Sequence, residues 1–191
     1  IARIGIDEFR GMVDEELKQP WAEKSFDPTA LLFEEDESKD APVAPPAGYH
    51  TNGHLPEFEH WVETNVQAQK QADYRVATVK LPLGDIQAEQ FHQLADLARK
   101  YAGGRARITL QQNLAFRWVP EQALFELWEK LNEIGLGDSG AHEITDVVGC
   151  PGTDSCKLGI TSSMGLGRAV GETLTEMDIS DPLMKQMHVK M

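Results

Sequence analysis

The stretch Arg75-Val76-Ala77-Thr78-Val79-Lys80-Leu81 decides the fold. Ala77, Val79 and Leu81 alternate with Thr78 and Lys80, the period of a half-buried strand, and Pro82 and Gly84 stop it. Asp85 is a suitable N-cap for a following helix, in which Phe91, Leu94, Ala95, Ala98 and Tyr101 fall on one stripe and Gly103-Gly104 forms the end. Arg105 to Leu110 reads as a second strand, with Ala106, Ile108 and Leu110 opposite Arg107 and Thr109. A third runs from Asn113 to Val119, with Leu114, Phe116 and Trp118 opposite Asn113, Ala115 and Arg117. Pro120 opens a second helix that aligns Leu124, Leu127, Trp128 and Leu131, and Gly135 and Gly137 close it. The β-branched run Ile144 to Val148 then reads as a last strand.

Strand, helix, strand, strand, helix, strand is the order of an α+β, ferredoxin-like split βαβ fold, one antiparallel sheet with both helices on one face. The covered face should carry Ala77, Val79, Leu81, Ile108, Phe116 and Trp118. Thr78, Lys80, Arg107, Thr109, Asn113 and Arg117 should lie on the other, a basic and hydrogen-bonding surface. Such a face suits a carboxylate-rich ligand, which Arg and Lys would pair. A solvated antiparallel face would also carry polar residues.

Upstream, Ile6, Phe9, Val13 and Leu17 have helical spacing over residues 5–19, ended by Pro20, and Phe26 to Phe33 could form a short element. Glu34-Glu35-Asp36-Glu37 followed by Pro42, Pro45 and Pro46 reads as a solvated tether. His50, His54 and His60 invite comparison with zinc sites, but Asn52-Gly53 is turn chemistry and no cysteine is near, so loop histidines are the better reading. Pro56 begins a short helix over 56–66, with Phe58, Trp61 and Val62 on one side. The expected organisation is a helical segment at 1–33, an acidic Pro-rich linker at 34–55, the ferredoxin-like module at 56–149 and a cofactor-binding region at 150–191.

Of 191 residues 41% are hydrophobic and 26% charged, ordinary values for a globular protein. The net charge of −13 argues against nucleic acid. No apolar run approaches the ~18–20 residues of a membrane span, and the first residues do not form a signal peptide. With only two cysteines, metal binding in the cytoplasm is a better expectation than a disulfide scaffold. An initial Ile1 and a β-branched stretch just beginning before Met191 suggest a piece of a longer protein.

Both cysteines lie in Gly149-Cys150-Pro151-Gly152-Thr153-Asp154-Ser155-Cys156-Lys157-Leu158-Gly159. A tight loop presenting two thiolates is half of a soft-metal site, and thiolates are the usual ligands of iron–sulfur clusters. A disulfide or a zinc ion across the pair are the other options. The Gly/Ser-rich segment beyond, to Gly171, should be a loop, mobile without a cofactor.

Val79-Lys80-Leu81-Pro82-Leu83-Gly84-Asp85, then Arg107-Ile108-Thr109-Leu110-Gln111-Gln112-Asn113, then Cys150 to Gly159 together resemble the sirohaem-containing nitrite/sulfite reductases, over about residues 58–171. The resemblance implies an enzyme of two related halves, each with a ferredoxin-like module, and a sirohaem coupled to a 4Fe–4S cluster through a shared cysteine. Cluster ligands in that family come from a C-x5-C pair and a later C-x3-C pair. Cys150 and Cys156 match the first, so the resemblance makes the chain the second half, preceded at residues 1–33 by the end of the first, with the later pair expected beyond Met191. In the first half of the family the position of Gln111 is commonly a substrate-gripping arginine, so no catalytic residue is expected in this stretch. The resemblance makes Arg107, Thr109, Gln112 and Asn113 candidates for sirohaem contact, with Lys80 and Arg117 beside them.

The activity so implied is reduction of nitrite to ammonia or of sulfite to sulfide. The implied partners are the small anion, the first half of the same enzyme and an electron donor such as ferredoxin or a flavoprotein, with no nucleic acid or membrane. Residues 1–191 alone would be inactive, with sirohaem and cluster absent or incomplete. The alternatives are a cluster-containing corrinoid-synthesis enzyme of the same superfamily, or a ferredoxin-like binding or regulatory module with incidental cysteines.

Overall fold

The computed structural model describes residues 3–20, 22 and 55–191. The expected element at Phe26 to Phe33, the acidic linker, His50 and His54 lie outside the described residues. The chain divides into two units, Ile1–Asp40 and Ala41–Met191. In the first, α1 (Ile6–Glu16) forms where the helical spacing predicts it and ends on Leu17, before Pro20.

The second unit begins with α2 (Pro56–Asn65), in which Pro56 occupies the first turn, where a missing N–H costs nothing. Its Trp61 is fully buried, with Phe58 and Val62 packed on the core beside it. β1 (Val66–Ala68) follows directly and pairs antiparallel with β2 (Tyr74–Val79). After α3 (Ala88–Tyr101) come β3 (Arg107–Ile108), β4 (Leu114–Pro120) and α4 (Leu124–Glu133). The sheet is antiparallel throughout, in the order β1-β2-β4-β3. Ala77, Val79, Leu81 and Phe116 meet Leu94, Ala98 and Tyr101 of α3 and Leu124, Leu127 and Leu131 of α4 in one buried cluster.

The mixed helix and antiparallel-sheet architecture is the expected one, but the fourth strand is another segment. Ile144 to Asp146 is turn and bend, Val148 makes only an isolated parallel bridge to Lys190, and β1 occupies the edge of β2 where the run would have paired. The β-branched run bonds instead to the C-terminal segment: Ile144 N–H donates to Lys185 O at 2.7 Å, Val148 N–H to Val189 O at 3.0 Å and Cys150 N–H to Met191 O at 3.2 Å. β1 was missed because a three-residue strand continuing a helix has too little length to show a period.

Sheet facing departs from strict alternation at two places. Arg75 pairs with Val119 and Ala77 with Phe116, so β4 carries one extra residue in a β-bulge at Arg117-Trp118. Trp118 has φ +63 and leaves the core cluster to pack edge-on against Tyr74, and Val119 takes the core position. Its amide, released from the ladder, donates to Gln69 Oε1 at 3.0 Å. Ile108, expected on the covered face, is 84% exposed on a strand only two residues long at the sheet edge. Phe91 likewise stands outside the buried stripe of α3.

Two helix starts also differ from expectation. Gln87 rather than Asp85 caps α3: its N–H donates to Gln90 Oε1 at 3.0 Å, and Gln90 Nε2 reaches on to Ile134 O beyond α4. The Gly/Ser-rich segment expected as a loop contains α5 (Ser163–Glu176), begun by Ser162, whose hydroxyl accepts from Gly165 N–H at 3.1 Å. A short α6 (Pro182–Lys185) follows, capped by Asp181.

The sheet face away from the helices is not open at its centre. Thr78, Asn113 and Asp146 are buried there, and Asn113 is fully enclosed. Asn113 Oδ1 accepts from Leu81 N–H at 2.8 Å, and its Nδ2 donates to Asp146 Oδ2 at 2.7 Å. The same carboxylate oxygen accepts from His142 N–H at 3.0 Å. Truncating Asn113 strands a buried N–H and weakens the support of a buried carboxylate, each costing about 1–3 kcal/mol. Asn113→Ala should therefore lower unfolding free energy by about 3 kcal/mol, read as a fall in the urea midpoint, whereas a loss below about 1 kcal/mol would show that the bond network is dispensable.

Candidate functional site

The two cysteines close a turn that begins where the 138–148 segment ends. Gly149 is gripped by Gln112, whose Nε2 donates to Gly149 O at 2.9 Å and whose Oε1 accepts from Gly149 N–H at 3.1 Å. Gln112 and Asn113 are adjacent residues of the tight turn joining β3 to β4. In that turn Thr109 N–H donates to Asn113 O at 2.8 Å and Asn113 N–H to Thr109 Oγ1 at 3.1 Å. The turn thus aims one carboxamide at Asp146 and the next at Gly149.

Below the turn, Cys156 N–H donates to Gly152 O at 2.8 Å and Gly159 N–H to Cys156 O at 3.0 Å, so each cysteine sits on a hydrogen-bonded backbone. Both thiols are free and exposed, and no disulfide joins them. Ser163, the first residue of α5, donates from Oγ to Cys150 O at 2.7 Å and lies 3.3 Å from Cys150 Sγ. The Ser163 hydroxyl and the Gly152 backbone N–H favour the thiolate and hold the Cys150 thiol below its ordinary value. Ser163 has one proton for two acceptors. With Cys150 protonated the thiol can donate to Ser163 Oγ, and ionisation turns the hydroxyl toward sulfur.

Leu158 and Ile160, 89% and 94% exposed, flank this turn with apolar surface. The donor set fits thiolate chemistry and supplies two ligands; among the described residues no group of three or more His, Cys, Asp and Glu could hold a metal ion. A cluster with four protein ligands would therefore draw its other ligands from outside the described residues.

The remaining candidates lie on β3, β4 and the residues that follow β2. Lys80 is largely buried, and burial pushes its ammonium below the usual lysine value against the pull of Asp146, Asp138 and Glu143. Its Nζ reaches Ser139 O and Thr145 Oγ1, both at 3.3 Å, and faces a cleft between α5 and the 138–147 segment that Asp138, Thr145, Arg168 and Glu172 also line. Arg107 is exposed on edge strand β3 and Arg117 half-buried at the bulge of β4. Gln112, Asn113 and Thr109 come together, and Lys80 joins them only through Leu81 and Asp146. His60 lies on α2 beside Glu63, 3.8 Å away, with no metal set around it among the described residues.

Sequence reasoning missed Asp146, Leu83 and Ser163. The signal for Ser163 was present: Ser162-Ser163 ahead of a long segment without proline is a helix start. Leu83 is buried in the turn Pro82–Gly84 with φ +57, and its Cδ2 approaches both Gly149 and Gly167 of α5. No periodicity reports such a contact.

This architecture is that of a ferredoxin-like half domain, and residues 67–134 match the family model described as the nitrite/sulfite reductase ferredoxin-like half domain. The chain is 26% identical over 132 residues to a ferredoxin–nitrite reductase of Synechococcus elongatus, covering 67% of this chain and 26% of that one. It is 29% identical over 93 residues to an assimilatory-type sulfite reductase of Nitratidesulfovibrio vulgaris, covering 49% and 42%. The structure of the Mycobacterium tuberculosis NirA protein superposes with a TM-score of 0.51 at 16% identity, over 69% of this chain and 27% of that one, a likeness of fold. Through residues 67–134 the chain is thus similar to nitrite and sulfite reductases. It spans less than half the length of each of these relatives.

Replacing Ser163 by Ala removes the larger influence that lowers the Cys150 thiol. A lowered value means that thiolate appears at lower pH, so the midpoint of the pH profile for alkylation of Cys150 by iodoacetamide should move upward in Ser163→Ala. An unmoved midpoint would show that the hydroxyl does not act on sulfur.

Proposed function

We propose that this chain is part of a sirohaem and iron–sulfur oxidoreductase that reduces nitrite to ammonia or sulfite to sulfide, with electrons from ferredoxin or a flavoprotein. Similarity to relatives named for both substrates supports the reaction class. The observation that carries the reading is the pair of free, exposed cysteines on a turn anchored by the half domain's own Gln112.

In this reading Cys150 and Cys156 hold two corners of a 4Fe–4S cluster as thiolates. Ser163 favours the thiolate at Cys150 before metal arrives. The Gly152 backbone N–H would stabilise negative charge at the Cys150 sulfur, and Leu158 and Ile160 would provide the apolar shell that excludes water. Arg107 and Arg117 pair carboxylates of sirohaem, with Thr109 at the turn between their strands. When bound, cluster and sirohaem supply single-electron transfer to the nitrogen or sulfur of the anion. Asn113 acts from beneath, since both ends of its carboxamide are already engaged. Lys80 faces the α5 cleft beside the cysteine turn, and the groups that grip the substrate lie outside this stretch. The chain by itself is inactive.

An absorption spectrum with iron and acid-labile sulfide assays on the full-length protein tests this. Sirohaem bands with iron and sulfide are expected, and Cys150→Ser or Cys156→Ser should lose most of the cluster iron. Turnover of nitrite against sulfite then assigns the substrate. A folded but colourless and iron-free full-length protein would overturn the reading and leave a binding module.

A further inference from the structure

Gln112 spends both ends of its carboxamide on one residue of the cysteine turn. The N–H of Gly149 belongs to the peptide plane before that residue, and its C=O to the plane that carries the N–H of Cys150. A single side chain that donates to one and accepts from the other, at 2.9 and 3.1 Å, therefore fixes two successive peptide planes leading into Cys150. The oxygen and nitrogen of the amide are assigned by this pairing, because only that orientation satisfies both backbone groups.

The site is built around this contact. Gln112 has φ +62, a region that non-glycine residues occupy only when surrounding structure holds them there. Gly84 provides the space: a Cβ on it would lie 2.8 Å from Gln112 Cβ, too close for any side chain. Leu83 supports Gly149 from another side, its Cδ2 lying 3.2 Å from where a Gly149 Cβ would stand. A strained backbone, a glycine-lined seat and two aimed hydrogen bonds converge on the residue preceding Cys150.

We propose that Gln112 is a positioning residue for Cys150, acting through Gly149 to orient the thiolate toward the cluster, and not a sirohaem contact. The proposal rests on the reading of Cys150 as a cluster ligand. Groups that orient metal ligands in this indirect way commonly change metal retention by on the order of 10–100-fold when removed.

The test compares full-length wild type with Gln112→Leu, which keeps bulk and loses both bonds, and Gln112→Glu, which keeps the acceptor and loses the donor. Three quantities are read: amide hydrogen exchange at Gly149, the rate of iron release to a chelator, and the electron paramagnetic resonance signal of the reduced protein. Gln112→Leu should speed Gly149 exchange by about 5–10-fold, the factor of one net hydrogen bond. It should also release iron on the order of 10–100-fold faster with shifted g-values. Gln112→Glu should keep Gly149 protected yet still release iron faster, because the 149–150 peptide is no longer held. Unchanged Gly149 exchange in Gln112→Leu overturns the clamp. Faster exchange with unchanged iron release and resonance signal reduces Gln112 to a fold contact and overturns the positioning role. Wild type without iron overturns the cluster reading, and the positioning role with it, while the exchange rates still show whether the clamp exists.

Discussion

Everything near the cysteines hangs from the buried carboxamide of Asn113. It binds the backbone N–H of Leu81, just past the end of β2, and the carboxylate of Asp146, far along the chain. Both partners are removed from water, where an unmet polar group is expensive and a met one is held firmly. The 138–148 segment has no place in the sheet, so this contact substitutes for the ladder of hydrogen bonds that a strand would have made. Asn65 adds a second tie, its Nδ2 donating to Thr78 O and Asp138 O, each at 3.0 Å, and its Oδ1 accepting from Ala141 N–H at 3.2 Å. Two buried amides thus splice an irregular segment onto a regular sheet, and the cysteine turn takes its direction from that splice.

The same splice governs the charge beside it. Lys80 projects from the end of β2 into a region lined with carboxylates, and with long contacts to Ser139 and Thr145 it is only loosely tethered. Burial works against its charge while Asp146, Asp138 and Glu143 work for it. The cleft that it faces has α5 as its other wall, where Arg168 pairs with Asp85 at 3.2 Å. On a chain of net charge −13, Lys80 and Arg168 meet Asp138, Asp146, Glu172 and Glu176 in this cleft.

Much of the fold could be read from the chain because the long elements carry clean periods. The alternation of Ala77, Val79 and Leu81 and the stripe of Leu124, Leu127 and Leu131 land in the core as written. Errors arose where tertiary contacts override local pattern. Ile144 to Val148 has β-branched composition, but Asp146 in its middle is bound by Asn113 and His142, and the sheet edge is already taken. The bulge exchanges Trp118 for Val119, which strict alternation has no means to register. At the site, the cysteines and the Gln112-Asn113 pair stand out by type and spacing. Their division of labour does not, since only geometry shows that Gln112 binds the backbone of Gly149 while Asn113 binds Leu81 N–H and the Asp146 carboxylate.

Leu83 has a consequence for how such a chain can change over time. Its side chain fills the gap between the cysteine turn and α5, so closely that a methyl group on Gly167 would come within 2.7 Å of its Cδ2. One residue further on, Gly84 is kept bare by Gln112. Any methyl group gained at either glycine must be matched by volume lost at Leu83 or Gln112, and a change at one position alone closes a space another residue occupies. Gly84 with Gln112, and Leu83 with Gly167, are thus two pairs, each distant along the chain, that share a space. A side chain at either glycine is accommodated only if its neighbour moves or shrinks.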